Sequence, residues 1–389
     1  MFENILGKKI ATQSGMVISI DPLAENILFC AVNDDMTELE ADGVEYTPKA
    51  FDQMFYDELE KVILTKQEEN PGVSMNKAAV ILPDQLFLMD LINIPVIHRK
   101  AMQHSLSLAV EAIYDNAEDL NLMTYSVQQT KQAATFGIVG ARRDLIENVR
   151  RAFSNKGIAV TGVTFASNAM VNGAMALNPK LKGDTFLMVD VKEKYTRFAF
   201  VVRGVTMGYY DIPFGYGILS TSRMFTDDML FNHTSGELLV LNAKERARAK
   251  QLTMEGALSD EEREAILNGE TVDEELLRRA SRRRPKFMQR PMPETDTGVV
   301  YENFRNIIKW TLELINNNPN IVSLAKLEKV YVNIPREYRF VLERANKNKD
   351  QHGVTFLPLL ADARNTEITA NLELYGGFYM DQYNEANIF

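Results

Sequence analysis

Cysteine is almost missing from this sequence of 389 residues, which contains only Cys30. A single cysteine excludes disulfide bonds within the chain and a zinc site built from several thiolates. The four histidines are scattered, and none lies at ligand spacing from a cysteine or a carboxylate. The sequence therefore predicts no metal site.

Long apolar runs are missing as well. Nowhere do about 18 apolar residues follow one another, as a transmembrane helix requires, and residues 1–15 contain no apolar core of a secretory signal. The formal charge of -10 argues against nucleic-acid binding, because that affinity comes largely from neutralising phosphates. These features predict a cytoplasmic protein.

Familiar catalytic motifs are also missing. The sequence has neither the Gly-x-Ser-x-Gly elbow of hydrolases nor the Gly-x-x-x-x-Gly-Lys-Ser/Thr loop of P-loop nucleotide-binding proteins. Its 46% hydrophobic and 25% charged residues are ordinary for a globular protein. The length predicts two or three domains.

The sequence contains two strand–turn–strand units. In each, the first strand ends at an aspartate: Asp21 in Ile-Ser-Ile-Asp and Asp190 in Leu-Met-Val-Asp. Between them, residues 86–165 read as strand, helix, strand, strand, helix and strand. That order predicts a small α+β module of the split-βαβ kind. Residues 232–298 are different in character, because they are strongly charged and poor in aromatic residues.

The two aspartate-ended hairpins, at 16–32 and 184–210, resemble the phosphate hairpins of the actin-like superfamily. A more specific series resembles the PilM group of type IV pilus assembly proteins: Ile-Leu-Pro at 81–83, Ile-Asn-Ile-Pro at 92–95, Tyr125 in a strand, Gly-Ala-Arg-Arg-Asp-Leu-Ile at 140–146, and Arg-Gly at 203–204 before Ile-Pro-Phe-Gly at 212–215. The resemblance covers most of residues 10–230 and, more weakly, 300–380.

The resemblance implies an α/β, actin-like (ribonuclease H-like) fold of two domains with an inserted α+β subdomain of the FtsA/PilM type. Residues 10–77 and 166–183 would form the first actin-like subdomain, and 78–165 the inserted one. The second half would take 184–231 and 299–389. Residues 232–298 would be a charged, partly disordered insertion.

Actin-like ATPases hold phosphates with Asp-x-Gly-x-x-x-Thr hairpins, where glycine allows close approach of the backbone. Here Leu23 follows Asp21 at the glycine position, and Lys192 takes that position between Asp190 and Thr196. After the strand at 330–332, Asn-Ile-Pro-Arg stands where the adenosine motif requires two glycines. We therefore predict no cofactor and no ATP hydrolysis, with the two aspartates capping turns at strand ends.

The resemblance implies a partner: the cytoplasmic tail of a bitopic inner-membrane protein similar to PilN, bound at the inner face of the membrane together with other machine components. The candidate contact residues lie on the edge strand and helix of the module: Leu86, Leu88, Met102, Leu106 and Ile113. They would receive the tail by strand addition or by apolar anchoring. The alternative interpretation is that this stripe packs on its own sheet.

A basic patch lies in the charged insertion, at Arg278, Arg279, Arg282, Arg283 and Arg284. It fits either a solvated, partly disordered segment or a contact with an anionic membrane surface or acidic partner. Two alternatives to the scaffold also remain: a divergent ATPase of the sugar-kinase superfold, and a division-type filament protein similar to FtsA. The second needs a C-terminal amphipathic helix, for which residues 381–389 are too short and acidic.

Overall fold

The structure is a computed structural model that describes residues 15–21, 26–32, 39–45, 51–69, 75–96, 99–114, 117–212, 215–219, 297–316, 326–347, 353–360 and 371–380. Leu23, the side chain of Asp21 and the arginine cluster at 278–284 lie outside the described residues. Among the helices that are described, none is long and apolar enough to cross a membrane.

The strands, in chain order, are β1 (Met16–Asp21), β2 (Asn26–Val32), β3 (Leu39–Glu45), β4 (Lys77–Leu82), β5 (Phe87–Pro95), β6 (Leu120–Gln129), β7 (Ala133–Arg142), β8 (Ala159–Phe165), β9 (Phe186–Val191), β10 (Thr196–Val202), β11 (Val205–Ile212), β12 (Lys329–Asn333) and β13 (Thr355–Pro358). The helices are α1 (Gln53–Glu69), α2 (Arg99–Ile113), α3 (Arg143–Ser154), α4 (Ala166–Leu177), α5 (Tyr216–Leu219), α6 (Thr297–Asn316), α7 (Phe340–Lys347) and α8 (Leu372–Gly377).

Contacts divide the chain into two compact units. Unit 1 comprises Met1–Met188, Ala199–Tyr209 and Leu359–Phe389, and unit 2 comprises Val189–Phe198 and Tyr210–Pro358. The closing helix α8 therefore belongs to unit 1, although the sequence analysis assigned residues 299–389 to the second half. The reason is that α8 packs on α4 and on the sheet below it.

Unit 1 is built on a five-stranded sheet with the order β3-β2-β1-β4-β8. β1 and β2 form an antiparallel hairpin, whereas β1, β4 and β8 are parallel. β4 is buried from its second residue onward, as expected for a parallel strand with both faces covered. On one face, Val17, Cys30 and Ile81 pack against α4 and α8.

Glycine permits α4 and α8 to approach closely. A Cβ on Gly376 would overlap the Ala169 carbonyl oxygen, and one on Gly173 would overlap the carbonyl oxygen of Leu372. Gly377 has the same relation to the side chain of Val17 in β1. Gly376 is thus a contact between the two helices, and Gly377 is a contact between α8 and the sheet.

The inserted module, residues 84–142, contains a three-stranded antiparallel sheet with the order β5-β7-β6 and the helix α2. From the sequence we expected the module to begin at residue 78 and to include a fourth strand, β8. The structure instead pairs β8 with β4 in the five-stranded sheet. The helix α3, which packs against β8, then serves as the crossover that two parallel strands require.

A second five-stranded sheet has the order β11-β10-β9-β12-β13. Within unit 2, β12 and β13 pair in parallel, and α7 supports β13 through Asn346, whose side chain bonds both backbone groups of Phe356. Every residue of β9 is buried. The end of this strand carries the candidate site.

Candidate functional site

The tight turn between β9 and β10 holds the residues that match the second phosphate motif. The backbone N–H of Lys192 donates a hydrogen bond to the carbonyl oxygen of Tyr195 at 2.9 Å, which closes the turn. Asp190 and Thr196 flank this turn, and each is 1% exposed. The turn is therefore well ordered by the main chain, and its two motif residues point into the protein.

The Asp190 carboxylate is paired inside unit 2. The Lys192 ammonium lies 3.1 Å from its Oδ2 atom, and the Asn333 side-chain amide donates to its Oδ1 atom at 2.7 Å. We call these three residues the Asp190 cluster. Capping of a turn, which the sequence analysis expected, would need neither partner, so the structure adds a role for Asp190 that the sequence pattern did not indicate.

Two of the three members of the Asp190 cluster are residues that break the nucleotide motifs. Lys192 stands at the glycine position of the hairpin, and Asn333 ends β12, where the adenosine motif would begin. The Lys192 side chain is only 14% exposed, so little water competes with its ion pair. Two of the three departures from the ATPase pattern thus lie together in one local structure.

A glycine-containing segment packs directly on the outside of the turn. The N–H groups of Tyr216 and Gly217 donate to the carbonyl oxygens of Lys192 and Glu193 at 2.8 and 3.0 Å. A Cβ on Gly215 would overlap both carbonyl groups. The sequence had shown this segment only through Ile-Pro-Phe-Gly at 212–215, although Gly-Tyr-Gly at 215–217 is itself a signal of close main-chain approach.

Aromatic residues connect the same segment to the residues after β12. The rings of Tyr216 and Tyr338 lie 5.6 Å apart. Burial raises the pKa of both hydroxyls; the nearby carboxylate of Glu193 raises that of Tyr216 further, and Glu337 does the same for Tyr338. Both phenols therefore act as neutral packing groups at neutral pH, and the turn, the glycine segment and the residues after β12 form one assembly.

An ion pair lies beneath the turn. The Arg197 guanidinium donates to the Asp211 carboxylate at 3.1 Å, with 2% and 1% of the two side chains exposed. The guanidinium carbon also lies 5.3 Å from the centre of the Tyr195 ring. The sequence analysis did not single out this pair, because a pairing between adjacent strands leaves no mark in either strand alone.

The candidate partner residues separate into two groups. Leu88, Met102 and Leu106 are half-buried and pack against the apolar core of the module, as the alternative interpretation expected. Leu86 is half-buried in the turn before β5, and Ile113 is 42% exposed. Leu108, which the sequence analysis did not propose, is 52% exposed on the same helix.

The positive charge that faces Asp190 comes from the protein itself, from the Lys192 ammonium. Within the described residues, no group of three or more His, Cys, Asp or Glu side chains is placed to hold a metal. The Asp190 carboxylate already faces an ammonium and an amide. A divalent cation that approached this carboxylate would be repelled by Lys192.

No protein-family model matches this chain, and no curated protein matches it. Among solved structures, it is similar to a PilM-PilN type IV pilus biogenesis complex, with a TM-score of 0.50 and 12% identity over 95% of this chain and 98% of that chain. The chain has an actin-like fold. This confirms the fold class predicted from the sequence.

Two further structures are similar over part of the chain. The cytoplasmic domain of EpsL, from the type II secretion system of Vibrio cholerae, has a TM-score of 0.33 and 12% identity over 48% of this chain and 68% of that chain. A Bacteroides thetaiotaomicron protein with an actin-like ATPase fold and unknown function has a TM-score of 0.30 and 10% identity, over 53% and 72%.

Proposed function

We propose that this chain is a PilM-like, actin-like scaffold of a type IV pilus or a related secretion machine, and that it does not hydrolyse ATP. It would lie at the cytoplasmic face of the inner membrane and bind the cytoplasmic tail of a bitopic membrane protein similar to PilN. The observation that carries the proposal is the Asp190 cluster. A protein that keeps the actin-like fold but neutralises its motif aspartate internally is best explained by its binding surfaces.

Magnesium and the Lys192 ammonium would compete for the same carboxylate. An actin-like ATPase uses the motif aspartates to position Mg²⁺ and water around the phosphates. Here, magnesium would have to displace the Lys192 ammonium from a largely buried carboxylate and leave that ammonium without its partner. Breaking such a pair costs several kcal/mol, about 3–5 for a fully buried one.

The module offers a tail both a strand at the end of its sheet and exposed apolar side chains on a helix. β5 lies at one end of the strand order β5-β7-β6, so it can accept an additional extended strand. The exposed side chains of Leu108 and Ile113 on α2 are available as apolar anchors. A short cytoplasmic tail could use either element without any change in the core of the module.

The nucleotide part of the proposal is tested by thermal unfolding with and without millimolar Mg-ATP. A ligand that binds only the native state at 100 times its Kd stabilises it by about 2.7 kcal/mol. We expect no change in Tm. A reproducible increase with Mg-ATP, but not with Mg²⁺ alone, would instead favour the divergent ATPase.

The partner part is tested with a synthetic peptide of the cytoplasmic tail of a PilN-like bitopic protein from the same organism. We expect the peptide to bind in calorimetry, and Ile113→Lys and Leu108→Lys to weaken binding at least tenfold. Leu64→Lys is the matched control, because Leu64 is 43% exposed on α1 and Ile113 is 42% exposed on α2. No binding, or equal weakening by all three variants, would contradict the assignment of this surface.

A further inference from the structure

The module is attached to the rest of unit 1 at two neighbouring points of the chain. Its first strand begins at Phe87 and its central strand reaches Ala141, and these two residues lie directly opposite each other in the β5–β7 ladder. The chain therefore enters and leaves the module side by side. Covalent attachment at one place leaves the orientation of the module to be set by its other contacts.

Two tyrosine hydroxyls supply such contacts, and both involve β11. The Tyr125 hydroxyl of β6 donates to the Thr206 carbonyl oxygen at 3.2 Å. The Tyr209 hydroxyl of β11 donates to the Asp84 carbonyl oxygen at 2.6 Å and lies 3.4 Å from that of Phe87. Both tyrosines are buried, so these hydrogen bonds replace water that is excluded from the contact.

The acceptor residues are themselves fixed to α4. Thr206 donates its hydroxyl to the side chain of Asn168 at 3.2 Å. The Asp84 carboxylate accepts hydrogen bonds from the backbone N–H and the hydroxyl of Ser167, both at 2.8 Å, at the start of α4. Thr206 is therefore fixed outside the module, whereas Asp84 is the first residue of the module and is held both by α4 and by Tyr209.

The position of the Tyr125 ring depends on Gly137. The two residues are register partners in the β6–β7 pair, and a Cβ on Gly137 would overlap the ring. The ring therefore lies across the central strand, and its hydroxyl reaches beyond the module to Thr206. Burial also raises the pKa of Tyr125, so the hydroxyl keeps its proton and remains a donor.

We propose that Tyr125 and Tyr209 form a latch that holds the module on β11, and that the module opens as a unit when the latch is released. The strands of the sheet β3-β2-β1-β4-β8 stay paired during this opening. The proposal concerns the free protein and does not depend on the identity of any partner.

The latch is tested by native-state hydrogen exchange on Tyr125→Phe, Tyr209→Phe and the double variant. Phenylalanine removes only the hydroxyl and keeps the ring contacts. One of these is the contact of Tyr209 with Phe165, whose ring centres lie 5.9 Å apart. A net hydrogen bond is worth about 1 kcal/mol, so the opening equilibrium should increase about fivefold for each hydroxyl and roughly 25-fold for both. We expect this change in peptides from β5, β6 and β7.

Tyr114→Phe is the matched control, because the Tyr114 hydroxyl lies 3.3 Å from the Asp90 carboxylate and both residues are inside the module. It should leave the exchange of β6 and β7 within about twofold of the original chain, less than the loss of one hydrogen bond produces. Equal acceleration of β1 and β4 with the module would overturn the proposal, because the two parts would then open together. Unchanged exchange in both single variants would overturn it as well.

Discussion

Replacement of Lys192 by methionine tests the Asp190 cluster most directly. Methionine keeps a long, flexible side chain but removes the ammonium that lies 3.1 Å from Asp190. At this separation and an effective dielectric constant of about 20, the direct attraction is about 5 kcal/mol. Desolvation of the two charges offsets much of it, and Lys192 is 14% exposed, so we expect a net loss of about 2–3 kcal/mol.

The assay is urea unfolding followed by tryptophan fluorescence. Trp310 is the only tryptophan and lies in α6 of unit 2, the unit that contains the Asp190 cluster. The signal therefore reports the unit in which the change is made. The unfolding midpoint of Lys192→Met should fall with little change in the slope m, because the folded surface is preserved.

The matched variants are Asp190→Asn and the double substitution. Asparagine keeps the shape of the side chain and removes the charge that requires Lys192. The double variant should therefore be more stable than Lys192→Met alone, with a coupling energy of about 1 kcal/mol or more. A loss below about 0.5 kcal/mol for Lys192→Met, or strict additivity, would refute the view that the ammonium neutralises a buried carboxylate.

Three other predictions follow from the same structure. Arg197→Met should lower the free energy of unfolding in urea by about 3–5 kcal/mol, because it leaves Asp211 charged and buried. The double variant Arg197→Met, Asp211→Leu should lose less. Gly376→Ala should lower Tm strongly, whereas Gly183→Ala should not, because an added Cβ there meets nothing within 4 Å. Burial raises the pKa of the Cys30 thiol to about 12, so iodoacetamide at pH 8 should label it only after unfolding; rapid labelling of the folded chain would contradict this.

Local patterns predicted the elements of this fold well. The alternation and apolar runs before Asp21 and Asp190 indicated the strands β1 and β9, and the apolar period of α2 indicated the helix. These signals are local, because each depends on residues within one or two turns or strands. The actin-like fold was predicted differently, from the resemblance of the two hairpins and the ordered motifs to a known family.

Pairings over long distances could not be predicted in this way. The sequence of β8 fits equally well beside the module or beside β4, and only the register with Lys77–Leu82 decides between them. Asn333 and Asp190 are 143 residues apart, so the Asp190 cluster depends on the order of strands in the sheet. The Lys192 substitution was visible in the sequence, but its ion pair was not.

The side-by-side ends of the module also bear on how chains of this fold diversify. Register partners such as Phe87 and Ala141 have Cα atoms about 5 Å apart, so a tight turn could replace everything between them. What would remain is a plain strand–helix–strand unit formed by β4, α3 and β8. Insertions at such a position are tolerated because they leave the host sheet unaltered. The length and sequence of the module are therefore not constrained by the pairing of β4 with β8.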